Sequence, residues 1–463
     1  MKKLEKIVLS GAEVFPLVEG GKGINGTDGR SSGSWAKEGG VGTISLVSPT
    51  ALDENKNIIE ETFLETNREK RHREMVEYAI KGGISQAKIA HEIAGNNGRI
   101  HFNMLWEMAD SEEVIERVLD GTKGLVHGIT SGAGLPYNLG KLASERGIYY
   151  YPIISSARAF GILWKRSYKN YADYLGGVVY EDPWLAGGHN GLSNAENPLD
   201  PQRPLERVIE LRKVLTECGL KDLPIIIAGG VWCLSEWQEY IDNPELGKVA
   251  FQFGTRPMIT KESPVSDAWK NLMLNTKKGD VILQKFSPTG FYSSAINNTF
   301  LRRLIERKND EIFYRNEKAE EFSTPLALNK FRTVYIKSSD LSHVENMRAK
   351  GFTHIEPTPD STLVFLSPSE YEQIKKDRAH CVGCLSQCQF SGWSRANGHT
   401  GKLPDCRTYC IHKTLMEIGH NGDVENNLAF AGHNVYRFAT DPMYNNGYIP
   451  SVHELFTAIL NGK

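Results

Sequence analysis

Short apolar runs rich in β-formers recur along the first half of the chain, separated by stretches of helix length. Eight stand out, at residues 14–18, 42–47, 100–105, 124–130, 148–154, 175–180, 224–228 and 249–253. Most intervals between them repeat apolar residues at helical spacing, as at 111–119, 205–217 and 234–241. In 205–217, Leu205, Val208, Ile209, Leu211, Val214 and Leu215 form one stripe for burial. Strands alternating with helices predict a parallel sheet. Eight units in about 260 residues match a TIM (β/α)8 barrel, ahead of an open doubly wound sheet. Two stretches break the rhythm: the Gly- and Ser-rich 25–34, and 50–97, a long charged and helical connection. Both follow strands directly, so both are expected at the C-terminal mouth, where this fold builds its sites.

Beyond Leu301 the pattern changes. A basic helix is predicted over 300–307. Strand-like 333–336 and 362–366 flank a helix-like 341–350 in a small α+β insertion, with charged, solvated margins at 308–321 and 370–378. A last helix is expected at 452–460. The expected division is a barrel over 1–307, the insertion over 308–379, and a cysteine-rich segment with the C-terminal helix over 380–463.

Composition narrows the class. Of 463 residues, 40% are hydrophobic and 24% charged, enough for a sizeable core, and a net charge of −2 carries no footprint for nucleic acid or an anionic membrane. No signal peptide and no run of about 18 apolar residues is present, so a cytoplasmic protein acting on a small-molecule or carrier-bound substrate is expected, with a homo-oligomer allowed. Five of the seven cysteines fall between Cys381 and Cys410. In a reducing compartment such a group reads as a metal site before it reads as disulfides.

Candidate chemistry gathers at the strand ends. The seventh strand ends in Ala228-Gly229-Gly230 and the eighth runs through Gln252 to Gly254-Thr255. Glycines there let backbone N–H groups approach an anion, and these two loops form the usual phosphate site of the fold. The loop after strand six, Ala186-Gly187-Gly188-His189, sets one imidazole among small residues at the catalytic face, where it can take a proton near neutrality. Gly20 and Gly21, Asn103, and Ser131-Gly132 end strands one, three and four and can present N–H, amide and hydroxyl groups to a planar ring. Plain turn chemistry accounts for some of these glycines equally well. Cys381, Cys384 and Cys388, with Cys406 or Cys410 further on, suit an iron–sulfur cluster. Zinc is the rival, with His380 and His399 as further ligands.

These segments resemble a known family. Phe15-Pro16-Leu17, Trp35 to Gly42, Ser131-Gly132-Ala133-Gly134, Ala186-Gly187-Gly188-His189, Ala228-Gly229-Gly230 and Gln252 to Arg256 make residues 11–300 similar to nitronate monooxygenases, formerly 2-nitropropane dioxygenases. Flavin-type enoyl-acyl-carrier-protein reductases share that barrel. The resemblance implies FMN, its phosphate on the strand seven and eight loops, and His189 as the catalytic histidine. Ser287-Pro288-Thr289-Gly290, Tyr409-Cys410-Ile411 and Ser451 to Leu455 also resemble the acyl-carrier-protein dehydrogenase/isomerases of bacterial unsaturated fatty acid synthesis, which carry FMN and a [4Fe–4S] cluster. That likeness implies Cys410 as fourth ligand beside Cys381, Cys384 and Cys388, and an acyl thioester substrate. Oxidation of alkyl nitronates by O2 is the alternative, and a flavin- and cluster-bearing redox sensor or scaffold a third. The chain departs from the family at Glu19 and Lys22, where Gln and Met are common.

Overall fold

The computed structural model describes residues 2, 4–394, 404–420 and 422–463. Eight parallel strands close a barrel: β1 (Leu17–Glu19), β2 (Val41–Ser45), β3 (Arg99–Leu105), β4 (Gly128–Gly132), β5 (Tyr149–Ile154), β6 (Val178–Glu181), β7 (Ile225–Ala228) and β8 (Val249–Phe253), with β8 pairing back onto β1. The predicted TIM barrel is therefore the fold. Helices α1 (Gly29–Lys37), α2 (Arg68–Ala94), α3 (Ser111–Gly121), α4 (Leu139–Ser144), α5 (Ala157–Arg166) and α6 (Pro204–Glu217) follow the first six strands. The predicted helix at 234–241 is a single 3-10 turn, Leu234–Trp237, before the chain turns toward Pro244. Its apolar stripe is still buried through Trp237, Tyr240 and Ile241.

Val18, Val41, Tyr151, Val179, Ile226 and Ala250 pack together within the barrel. A hairpin of Ile7–Leu9 and Ala12–Val14 joins this cluster through Leu9 and Val14. At its tip the Ser10 hydroxyl lies 2.8 Å from His101 Nε2 and 2.7 Å from the Tyr151 hydroxyl. Burial pushes His101 down to about 3, so this polar cluster is uncharged.

After β8 the chain forms α7 (Asp267–Leu274) and an antiparallel sheet in which Ser293–Ile296 pairs with Val281–Gln284 on one side and with Gly188–His189 on the other. Then come α8 (Thr299–Asn309) and the α+β insertion, a five-stranded antiparallel sheet with α9 (Leu341–Ala349) and its own apolar core. The margins expected to be solvated are structured. Ile312–Arg315 is the sheet's central strand, burying Ile312 and Tyr314 and exposing Phe313 and Arg315, and Pro368–Ala379 is α10, opened by a Ser367/Glu370 capping box. The cysteine segment runs into α11 (Ile411–Gly419), and α12 (Val452–Leu460) returns to the barrel. Phe456 of α12 packs edge-on against Trp35 of α1, which also touches Phe253 of β8. Among the described residues no helix is long and apolar enough to cross a membrane.

Candidate active site

One cavity of about 250 Å³ opens at the C-terminal ends of the strands. Gly20, Gly21, Asn103, Gly132, Gly187, Gly188 and His189 all line it, as do Ala228, Gly229, Gly230, Gln252, Gly254 and Thr255. Ser131 does not. Its hydroxyl donates to the Met104 carbonyl at 2.8 Å and is fully buried in the strand layer. Side chains alternate along a strand, so Gly132, one residue on, is the one that meets the cavity.

The β7–β8 rim is built from backbone. Gly229 and Gly230 hold φ of +86° and +75°, a region that penalises any side chain. A Cβ on Gly230 would lie 2.7 Å from Leu185, and one on Gly229 2.9 Å from the Asp182 carbonyl. In front of Gly254 there is open space. Bare backbone at Gly229 and Gly230 and the room in front of Gly254 fit a phosphate, the anion an FMN would bring. Across the cavity, a Cβ on Gly21 would lie 2.3 Å from Asn103 Cβ, so only a bare backbone passes there.

The strands that flank β7 and β8, namely β6 and β1, end in ionisable side chains. Glu19 ends β1 with one carboxylate oxygen unpartnered among the described residues, and its neighbour Lys22 lies 3.9 Å away. Burial raises Glu19 and lowers Lys22, each partly offset by the other's charge. Lys22 donates to the Gly20 carbonyl at 2.6 Å and lines the cavity. Glu181, at the end of β6, is pushed up to about 8 by burial and by Asp182, so it holds its proton at neutrality. Asp182 accepts from the N–H groups of Trp184 and Leu185, which shapes the turn toward His189.

His189 sits in a two-residue strand paired with Ser293, between the aromatic rings of Phe430 and Phe291. Its Nε2 lies 2.7 Å from the Ser287 hydroxyl. Burial pulls the imidazole down to about 4, leaving it neutral across ordinary pH.

Sequence reasoning missed the contribution of 430–434. Phe430, Ala431, Gly432 and Asn434 line the cavity, and Asn434 donates to the Gly230 carbonyl at 2.6 Å. Ala431-Gly432-His433-Asn434 nearly repeats Ala186-Gly187-Gly188-His189-Asn190 in composition, which was the available signal. Ser294 joins the two copies, within 3.2 Å of both Asn190 Nδ2 and His433 Nε2.

The cysteine segment adjoins the same cavity, with Cys384 in its wall. Burial and the nearby Cys410, Cys388 and Cys381 hold the Cys384 thiol well above its ordinary range, so the four share one neighbourhood. Cys406 stands apart; burial raises it to about 12, and the charges around it are Arg307, Asp405, Arg378 and Glu356. His380 is exposed, with Nδ1 on the Lys376 carbonyl, and His399 lies outside the described residues. Among the described residues no group of three or more His, Cys, Asp or Glu side chains is spaced for a single ion. Helix α2 pins this loop: Arg71 donates to the Cys381 and Ala379 carbonyls, and His72 Nδ1 meets the Val382 carbonyl at 3.1 Å.

Known proteins share sequence features and the barrel with this chain. The nitronate monooxygenase family model matches residues 8–359. A probable nitronate monooxygenase of Staphylococcus aureus (strain Newman) is 26% identical over 125 residues, 27% of this chain and 33% of that protein. The match thus spans about a third of that curated relative's length. The enoyl reductase domain of MlnA from the macrolactin biosynthesis cluster of Bacillus amyloliquefaciens is similar with a TM-score of 0.51 at 13% identity, over 97% of this chain and 93% of that one. FabK from Thermotoga maritima gives 0.48 at 14% identity, over 96% and 92%. The first of these structural likenesses bears on the fold alone.

Proposed function

The chain belongs to the nitronate monooxygenase family of flavin-dependent oxidoreductases, and we propose that it is an FMN- and [4Fe–4S]-dependent oxidoreductase of acyl thioesters. The observation that supports this reading is that Cys384, with Cys381, Cys388 and Cys410 nearby, adjoins the cavity that His189 lines. Nitronate oxidation by O2 has no use for such a group, whereas a dehydrogenase that must pass electrons onward does.

The backbone of Gly229, Gly230, Gly254 and Thr255 would hold the flavin phosphate, and Gly20, Gly21 and Asn103 would hold its ring. Bound there, FMN supplies a two-electron acceptor for hydride from the substrate's β-carbon. His189 moves the proton. In the tautomer whose Nε2 donates to Ser287, Nδ1 keeps a lone pair and can take the acidic α-proton beside the thioester carbonyl. Phe291 and Phe430 exclude water and fix the ring plane. Returned to a different carbon, the same proton would shift a double bond. Cys381, Cys384, Cys388 and Cys410 would ligate the cluster. The test is anaerobic purification with assay of flavin, iron and acid-labile sulfide, followed by acyl thioester turnover. One FMN with about four irons and four sulfides supports the reading. Flavin without iron overturns the cluster and moves nitronates to the front.

A further inference from the structure

A second cavity, of about 470 Å³, adjoins the first. Ile24, Ser48, Trp269 and Leu415 belong to the walls of both, so the two chambers share one partition. The second chamber is lined by the loops after β1 and β2, including the stretch from Ile58 to Thr62, and by helix α11. These walls are fastened. Glu61 pairs with His412 of α11 at 3.0 Å, and the Tyr78 hydroxyl of α2 donates to the Ile59 carbonyl and accepts from the Ala51 N–H. In the partition, Trp269 is buried while its indole N–H has no partner among the described residues, so no hydrogen bond to them through that atom locks the ring in place.

We propose that this chamber is a substrate subsite that takes the uncharged, apolar end of a straight-chain substrate whose reacting carbon lies under His189. The inference rests on the acyl-thioester reading. Ile24, Ile59, Val265, Leu415 and Met416 supply apolar wall, as a hydrocarbon chain requires. Charge sets the orientation. Glu60 and Glu61 stand in the wall, and Asp53, Glu54 and Glu65 flank them in sequence. That acidic stretch repels the phosphates of coenzyme A or of a carrier-protein arm, so the anionic end must enter from the other side.

The test uses the flavin-loaded protein and flavin absorbance as a binding readout, so no turnover is needed. Two probe series are compared, unreactive coenzyme A thioethers and 1-nitroalkanes, each running from about four to about twelve carbons. Each buried methylene should tighten binding about fourfold. Ile59→Trp and, independently, Val265→Phe should flatten that increment toward unity. The ratio per methylene is the readout, not the absolute affinity. A flat series in the unaltered protein, or an undiminished slope in both variants, overturns the subsite. A slope seen only with nitroalkanes, and lost in the variants, supports the chamber while the acyl-thioester reading fails. A terminal carboxylate on the longest probe should weaken binding about tenfold, and Glu60→Lys should restore most of it. Equal tolerance of the carboxylate overturns the orientation.

Discussion

The two halves of the cavity rim solve different problems with different materials. The β7–β8 half is backbone: Ala228, Gly229, Gly230, Gly254 and Thr255 offer N–H groups whose partial charges do not change with pH. The part on the flanking strands β1 and β6 is side chain: Lys22 and Glu181 line the cavity, Glu19 is buried beside Lys22, and the fold itself has shifted the protonation of all three. A fixed anion such as a phosphate is best met by fixed dipoles. A ring that gains and loses electrons is better met by groups that can exchange protons. His189 stands between the halves, held by a sheet that belongs to neither.

This contrast can be broken experimentally, beginning with its midpoint. His189→Ala should lower turnover by about 10²- to 10⁴-fold while flavin stays bound, measured as kcat alongside flavin per chain. Retained turnover would remove the histidine from the chemistry. Gly229→Ala strikes the backbone half. At φ +86°, with a carbonyl 2.9 Å from the new Cβ, it should weaken flavin retention by about tenfold or more, read by dialysis and absorbance. Cys384→Ala should abolish iron binding, whereas Cys406→Ala should leave the iron content intact; the reverse result would exchange their roles.

Smaller effects belong to the side-chain half. Glu181 titrates near 8 in the folded chain against an ordinary 4.5, so the folded state holds its proton more tightly. Its contribution to stability is complete below about pH 4.5 and is lost as pH rises through about 8. Glu181→Gln should therefore flatten the fall of Tm between those values, and an unchanged pH profile of Tm would show that the carboxyl is not shifted. For His189, depressed to about 4, the acid limb of kcat/KM should lie well below the 6.5 of an ordinary imidazole.

The backbone half was the more legible in sequence, because paired glycines at the end of a buried strand serve a narrow set of purposes, a tight turn or a close approach of backbone to a ligand. The side-chain half showed only as Glu19 and Lys22 standing where the family commonly has Gln and Met. Glu181 gave no signal, since its shift comes from burial, and burial is a property of the closed barrel. Eight strands were readable because apolar runs repeat. Ile312–Arg315 was not: two buried and two exposed residues inside a charged stretch are too short a pattern to stand out. The part played by 430–434 was hidden for a different reason. It reaches the cavity only through contacts with residues more than a hundred positions earlier, such as Thr255 and Ser294.

Helix α12 gives the molecule a timetable. As the chain emerges from the ribosome, all eight strands are made by residue 253, yet Trp35 must wait for Phe456 before that face of α1 is covered. Residues 254–451 are synthesised in between, including the insertion and the cysteine loop. During that interval the seam between the first and last strands presents an apolar face to the cell, a transient exposure of the kind that recruits chaperones.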